Sequence, residues 1–333
     1  MKTYVLYHGN CPDGFGAAYA AWRHYGDENA VYMPVLYGKP PPSMPPDSTV
    51  YIVDFSYPPA ELIDLALRHL IVVVLDHHAS AERDLVPAAF AELGPAFNTP
   101  DGGFYCGNIY VLFDLDRSGA MLAWMHFHKE PPPLLIQYLQ DRDLWQFKLP
   151  NSRAVSAYLQ TVQMDFLAWQ RIAAEMESQR GIGEIFAAGA ACLKLKEQQV
   201  EIMAKNVRWA KFILPHPSDS TVLAPHVEFF SPPLQSIPTT YHVAPFARGQ
   251  PRLYYVPVAN ATCFYSEVGE QLLQLFPDAP FAAYYMDRAD GNRQWGLRSR
   301  PYCDCSEIAQ HFGGGGHKQA AGFTQQLSTL KSP

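Results

Sequence analysis

The chain has no apolar stretch long enough to cross a bilayer: runs such as Leu70–Leu75 fall far short of the roughly 18–20 residues that a membrane span needs. The opening MKTYVLYHG lacks the apolar core of a secretory signal, so a cytoplasmic protein is expected. Cysteines are few and scattered (Cys11, Cys106, Cys192, Cys263, Cys303 and Cys305), which argues against a disulfide-stapled secreted domain and for reduced thiols. Positive charge is short as well. With 25 Lys and Arg against 32 Asp and Glu, the formal net charge of −7 speaks against tight, non-specific binding to long duplex DNA, which needs many cationic contacts to phosphate. Internal repeats and heptads are absent.

What is present is enough apolar material, 48% of 333 residues, for two ordinary domains with their own cores. The charge is unevenly placed. Residues 251–333 hold seven Lys or Arg and seven Asp or Glu, so all of the negative excess lies upstream, an arrangement suited to cation binding in one region and anion binding in the other.

Along the chain, TYVLYH reads as a buried strand and the Ala-rich run after it as a helix closed near Gly26. VYIVDFS, PPAELIDLALRHL and IVVVLDHH continue the pattern, giving β-α-β-β-α-β over the first 80 residues. A helix is expected over 118–130, another over LLIQYLQDRDLWQF, and one long helical stretch from about Phe166 to Ala210. From Arg252 the texture changes to a strand, a helix, a hairpin turned on Asp290–Gly291 and a short helix before Gly313–Gly316. The expected fold class is α/β: an N-terminal Rossmann-like domain with a parallel sheet over 1–165, a helical linker over 166–214, and a smaller C-terminal α/β domain with a mixed sheet over 215–333.

Four stations carry the chemistry: His8 with Asn10 and Asp13, Asp54, the triplet Asp76-His77-His78, and Asp141 with Asp143. A single Asp after a strand is usually a cap, and a single His usually a hydrogen-bonding residue. Three stations at strand ends of one Rossmann-like unit converge instead, because parallel sheets gather their ligands at the carboxyl edge. Oxygen and imidazole donors without thiolate suit Mn²⁺, or Mg²⁺, better than a structural zinc. Cys11 is expected to be a small buried residue and not a ligand. Phe15, Tyr57, Tyr105 and Trp145 lie near the motifs and are read first as core residues.

The opening HGNCPDGF, VDFS, VVVLDHH and the closing GGGGHKQAAGF together resemble the DHH phosphoesterase superfamily with its DHH-associated C-terminal domain. CPDGFGAA and DRDLW resemble its NrnB-like oligoribonuclease, or nanoRNase, branch. The resemblance implies that His8 binds a first Mn²⁺ and Asp13 a second, that Asp54 bridges them, and that His77 completes the second site with Asp141. It implies that His78 faces the scissile phosphate, while Asp76 orients its neighbours and counts with Asp54 and His78 as catalytic. Asp143 competes with Asp141, and Asp141 is preferred because Asp143 leaves the helix on another face. Asn10 replaces a carboxylate of the family motif, which leaves one or two bound cations open. Arg298, Gly314, Gly315, Gly316 and His317 are implied to hold a phosphate or nucleotide, since a helix turn explains one glycine of that run but not four.

The expected activity is hydrolysis of short single-stranded RNA to 5′-mononucleotides, without a covalent protein intermediate. Alternatives that keep the metal site are a cyclic mono- or dinucleotide, 3′-phosphoadenosine phosphate or single-stranded DNA as substrate; a non-catalytic nucleotide sensor is the alternative of another class. No membrane partner is expected, and a homodimer is one of the open oligomeric states.

Overall fold

In the computed structural model, residues 2–9, 11–36, 38–215, 225–230 and 252–327 are described. The chain divides into two compact units, Met1–Lys194 and Leu195–Pro333. The first contains β1 (Thr3–His8), α1 (Pro12–Asn29), β2 (Ala30–Val35), β3 (Thr49–Val53), α2 (Pro59–Arg68), β4 (Ile71–Asp76) and α3 (Ala79–Asp84). It continues through β5 (Ala96–Asn98), β6 (Phe104–Cys106), β7 (Ile109–Phe113), α4 (Gly119–Phe127), α5 (Leu134–Asp143), α6 (Ser152–Leu159) and α7 (Phe166–Met176) into α8 (Gln179–Lys205).

Its seven strands lie in the order β2-β1-β3-β4-β7-β6-β5. The first five are parallel and the β5–β6 edge is antiparallel. β4, IVVVLD, is apolar almost throughout because both faces of the sheet are covered. One face packs Val5, Val53, Val73 and Leu75 under α1, α4, α5 and α7; the other packs Leu6, Ile52 and Val74 under α2. β2 and β3 flank β1, so the connections leave β1 in opposite directions, and a switch of this kind opens a crevice at the carboxyl ends of the strands. His8 ends β1, Asp54 follows β3 and Asp76 ends β4, all at that edge.

The second unit contains β8 (Arg208–Leu214), β9 (His226–Phe230), β10 (Arg252–Asn260), α9 (Tyr265–Leu275), β11 (Phe281–Asp287), β12 (Asn292–Ser299), α10 (Cys305–His311), β13 (Gly315–His317) and β14 (Ala320–Gln326). Its sheet, ordered β13-β14-β12-β11-β10-β8-β9, is mixed: β10 and β11 are parallel, with α9 between them in sequence, and the other pairs are antiparallel. α10 closes one face over Phe212, Trp295 and Phe323, and α9 closes the other over Ala259 and Ala282.

The expected α/β architecture, with one mainly parallel and one mixed sheet, is the one observed. The long helix expected from Phe166 to Ala210 is not one helix. It breaks after Met176 and ends at Lys205, where RWAKFIL becomes β8, paired with both β9 and β10. The segment drawn as a linker over 166–214 is therefore divided between the units. α7 buries Trp169, Ile172 and Met176 in the first core, and β8 gives Ala210, Phe212 and Leu214 to the second. No described helix is long and apolar enough to cross a membrane, and all six cysteines are free.

Candidate metal centre

Asp54 is the centre of the cluster, and its backbone is unusual: φ is +63°, a left-handed conformation that Asp tolerates better than most residues but that still costs on the order of 1 kcal/mol. Its amide N–H donates to the Leu75 carbonyl (3.0 Å), which pins the turn to β4. Two glycines let helices come this close. A Cβ on Gly14 in α1 would collide with the His8 carbonyl, and one on Gly119, the first residue of α4, would overlap the Asp54 carboxylate.

Asp13, in the first turn of α1, is packed against the start of α4, and the Ala120 N–H donates to its Oδ2 (3.3 Å). His77 Nε2 lies 3.1 Å from Asp54 Oδ1, 3.8 Å from Asp13 Oδ2 and 3.6 Å from Asp143 Oδ2. His8 Nδ1 lies 3.5 Å from Asp54 Oδ2. Asp13, Asp54, Asp76 and His77 are each at most 3% exposed. Asp76 holds the histidines: its Oδ1 accepts from the His77 N–H (2.7 Å), the His78 N–H (3.3 Å) and His78 Nδ1 (2.7 Å), while Ser56 Oγ donates to Oδ2 (3.1 Å).

So many buried acids strain one another. Burial, together with the charges of Asp143 and Asp54, pushes the Asp13 carboxyl well above its usual range. Burial would raise Asp54 too, but the His77 hydrogen bond and the imidazole of His8 outweigh it and hold the group below the usual carboxylate range. Burial works against charge on His77, yet its bond to Asp54 and the charges of Asp143, Asp54 and Asp13 push it up to about 10. His78 is also raised, its desolvation overcome by the charge and hydrogen bond of Asp76. Burial and the same carboxylates raise the Cys11 thiol well above its usual value.

The donor set fits a cation. The ligating atoms of Asp13, Asp54 and His77 lie within 4.8 Å of one another, and so do those of His8, Cys11 and Asp54; both groups use Asp54. Among the described residues, Asp13 Oδ1 and Asp143 Oδ2 are buried without a hydrogen-bond partner, a costly state that a bound cation would relieve. The carboxylates around His77 favour its charged form. To serve as a ligand the imidazole would have to be neutral and would give up that proton.

Asp141 is placed elsewhere. Its carboxylate accepts from the Lys148 N–H (2.8 Å) and the Leu149 N–H (3.1 Å) and so shapes the loop after α5, while Asp143, two residues on, reaches His77. Asp143, and not Asp141, the residue preferred as the ligand, is the aspartate of α5 that lies within ion-pair distance of His77. Asn10 lies outside the described residues. Cys11, expected to be inert packing, is the half-buried N-cap of α1 and has Sγ among the donors. Ser118 and Gly119, which sequence reading passed over as helix residues, abut Asp13 and Asp54; a small pair opening a helix beside an acidic motif is the signal that could have found them. Phe15 is core, stacked 4.9 Å from Phe166, and Tyr57 is buried.

In the second unit Arg298 is buried in β12 and pairs in register with Ala282 and Ala320. Backbone conformation or packing accounts for three glycines of the Gly313–Gly316 run. Gly313 has φ +75° as the chain leaves α10; a Cβ on Gly314 would overlap the Gly322 carbonyl; and Gly316, at φ +136°, faces the backbone of Ala320 and Ala321. Gly315 and His317 belong to β13 and pair with Gly322 and Ala320.

No family model matches the chain. The uncharacterised protein R106 of Acanthamoeba polyphaga mimivirus is 26% identical over 334 residues, an alignment that covers 96% of this chain and 66% of that protein's length. Similar solved structures include the pGpG-specific phosphodiesterase PggH from Vibrio cholerae (12% identity, TM-score 0.41, covering 98% of this chain and 94% of that one). RecJ of Thermus thermophilus in complex with Mn²⁺ is another, at 17% identity and TM-score 0.42; the match covers 98% of this chain but 49% of RecJ. An uncharacterised protein from Helicobacter pylori G27 is 14% identical, with a TM-score of 0.40 and coverage of 98% and 95%.

Proposed function

We propose that the chain is a metal-dependent phosphodiesterase of the DHH type that hydrolyses short single-stranded oligoribonucleotides to 5′-mononucleotides. The observation that carries this reading is the carboxylate of Asp54, shared by two sets of donors in a site whose Asp13 Oδ1 and Asp143 Oδ2 have no hydrogen-bond partner among the described residues. Bound there, a pair of divalent ions, Mn²⁺ or Mg²⁺, supplies a nucleophilic water at neutral pH and positive charge against the phosphoryl oxygens.

In this reading His8 and Asp54 hold one ion, with the Cys11 sulfur nearby, and Asp13, His77, Asp143 and Asp54 hold the other. Asp76 orients both histidines by accepting their backbone N–H groups, and its bond to His78 Nδ1 sets the tautomer of that ring. His78, raised toward its charged form by Asp76, is assigned to an oxygen of the scissile phosphate. Arg298, His317 and the backbone of Gly314, Gly315 and Gly316 are assigned to a phosphate that does not react. The location is cytoplasmic, the substrates are short and not duplex, and no protein partner beyond a second copy is implied.

The test strips the protein of metal, restores Mn²⁺ and supplies 5′-labelled RNAs from dinucleotide upward, beside single-stranded DNA, cyclic dinucleotides and 3′-phosphoadenosine phosphate. Mononucleotides released fastest from the shortest RNAs are expected. Full activity in excess chelator, after verified metal removal, overturns the metal assignment. Cleavage of another substrate alone replaces the RNA assignment, and tight nucleotide binding without turnover replaces the enzyme with a sensor.

A further inference from the structure

The loop that follows Asp143 has features the metal chemistry does not use. Trp145 and Phe147 both take left-handed backbone angles, φ 56° and 51°, a conformation costly for bulky L-residues that persists where the surroundings over-determine it and that clusters at ligand clamps. Asp141 imposes it: its carbonyl accepts from the Gln146 N–H (2.9 Å) and the Phe147 N–H (3.3 Å), and its carboxylate from Lys148 and Leu149. The two rings meet edge to face, 5.0 Å between centroids.

Each ring carries a guanidinium. Arg142 Cζ lies 4.2 Å from the Trp145 ring and Arg153 Cζ 3.8 Å from that of Phe147. With the exposed Lys148, these place three cations within ten residues of Asp143, in the part of the chain that carries all of the net negative charge. An arginine lying on a ring keeps its planar fork oriented for a bidentate phosphate, and an aromatic face stacks a base regardless of sequence. A polyanion drawn toward a cluster of carboxylates needs such a cationic approach.

We infer that Arg142, Trp145, Phe147 and Arg153 form the subsite for the nucleotide next to the scissile phosphate: the guanidinia take its non-reacting phosphate and the rings its base. The inference rests on the nucleotide-hydrolase reading above. Asp141 is then a positioning residue for this platform.

The test uses Arg153, whose side chain is exposed and whose loss spares the strained backbone. Two quantities are read in the full-length protein with Mn²⁺: the Kd of a 3′-fluorescein-labelled, 5′-phosphorylated 2′-O-methyl phosphorothioate dinucleotide, and the KM and kcat for a 5′-phosphorylated diribonucleotide, each of which carries one phosphate besides the scissile one. Arg153→Gln raises both Kd and KM about tenfold, with the larger change in KM and not kcat, as loss of one charge-assisted phosphate contact requires, and lowers the log–log salt slope of binding by about one. Arg153→Lys restores the salt slope but only part of the affinity, since an ammonium lacks the fork. Arg171→Gln, on an exposed face of α7, removes the same charge without effect. Equal constants for Arg153→Gln and wild type overturn the subsite while leaving the hydrolase reading intact. A wild-type protein that binds the probe, and loses it in Arg153→Gln, but cleaves no RNA keeps the platform and overturns the hydrolase. Full rescue by lysine reduces the platform to general charge and overturns the stacked arrangement.

Discussion

The carboxyl edge of the first sheet and the glycine hairpin of the second unit both stand out in the sequence, but the structure gives them different grounds. At the first edge, groups that would be costly apart are forced together: buried carboxylates, a left-handed aspartate, acceptor oxygens without a hydrogen-bond partner among the described residues. No packing need explains this arrangement, so it points to a ligand. At Gly313–Gly316, a helix exit and the close approach of β14 require glycine before any ligand is considered. Unusual composition is thus weaker grounds for a binding role than unsatisfied chemistry, and the proposed role of the second unit leans on Arg298 and His317 more than on the glycines.

The sharpest way to break this contrast is Asp54→Asn, which keeps the size and the tolerance for φ > 0 but removes the shared charge. A fall in kcat of roughly 10³-fold or more is expected if both cation sites depend on it, measured on a labelled diribonucleotide with the fold checked by near-ultraviolet circular dichroism. A folded, active variant would remove the shared-carboxylate model. Next come the two aspartates of α5. Asp143→Asn should lower kcat by about 10²-fold with little change in thermal unfolding, because it loses charge at the cluster. Asp141→Asn should do the reverse, costing about 1–3 kcal/mol of stability as one charged acceptor of two backbone N–H groups is lost. Calorimetry beside steady-state kinetics decides between them, and equal kinetic losses would return Asp141 to the cluster.

A smaller effect is expected at the hairpin. Gly314→Ala should destabilise by roughly 2 kcal/mol through collision with the Gly322 carbonyl, more than Gly313→Ala, where space is open and the cost is that of a left-handed alanine. Denaturant titration ranks the pair, and similar midpoints would mean that packing does not set these glycines. The smallest effect concerns His69, buried at the end of α2, whose ring nitrogens have no hydrogen-bond partner among the described residues. Burial, aided by the charge of Arg68, lowers its pKa from the ordinary 6.5. The unfolded chain therefore takes up this proton first, and stability declines as pH falls from about 6.5 toward the depressed native value. His69→Gln should flatten that part of the stability profile; an unchanged slope would mean that another group titrates there.

Much of this was legible in the sequence because it follows from period and position. Apolar strands ending in His8, Val53-Asp54 and Asp76 placed those side chains at one edge once the sheet was parallel. What was not legible depends on tertiary contact. Asp141 and Asp143 were ranked by helical geometry as though α5 ran on through Phe147, but the helix ends at Asp143, where the chain folds back onto Asp141 through left-handed aromatic residues that no propensity announces. Gly14 and Gly119 are ordinary helix residues in sequence, and their need for a missing Cβ exists only against Asp54. The first residues of RWAKFIL read as the end of a helix because the charged, Ala-rich residues before them set the expectation, whereas pairing with β9 and β10 makes the segment a strand.

The side chains gathered at the candidate centre come from positions 8, 13, 54, 77 and 143, delivered by the ends of β1, α1, β3, β4 and α5. No two of those elements are a local pair that could form the centre alone, so its assembly pays the closure entropy of loops that run through most of the first unit. Fraying of the short β5–β6 edge, which supplies none of these groups, would leave the centre whole. Separation of β1 from β3 would abolish it at once. Amide exchange at His77 and Asp54 is therefore set to follow the slowest, global opening of the unit and not a local fluctuation.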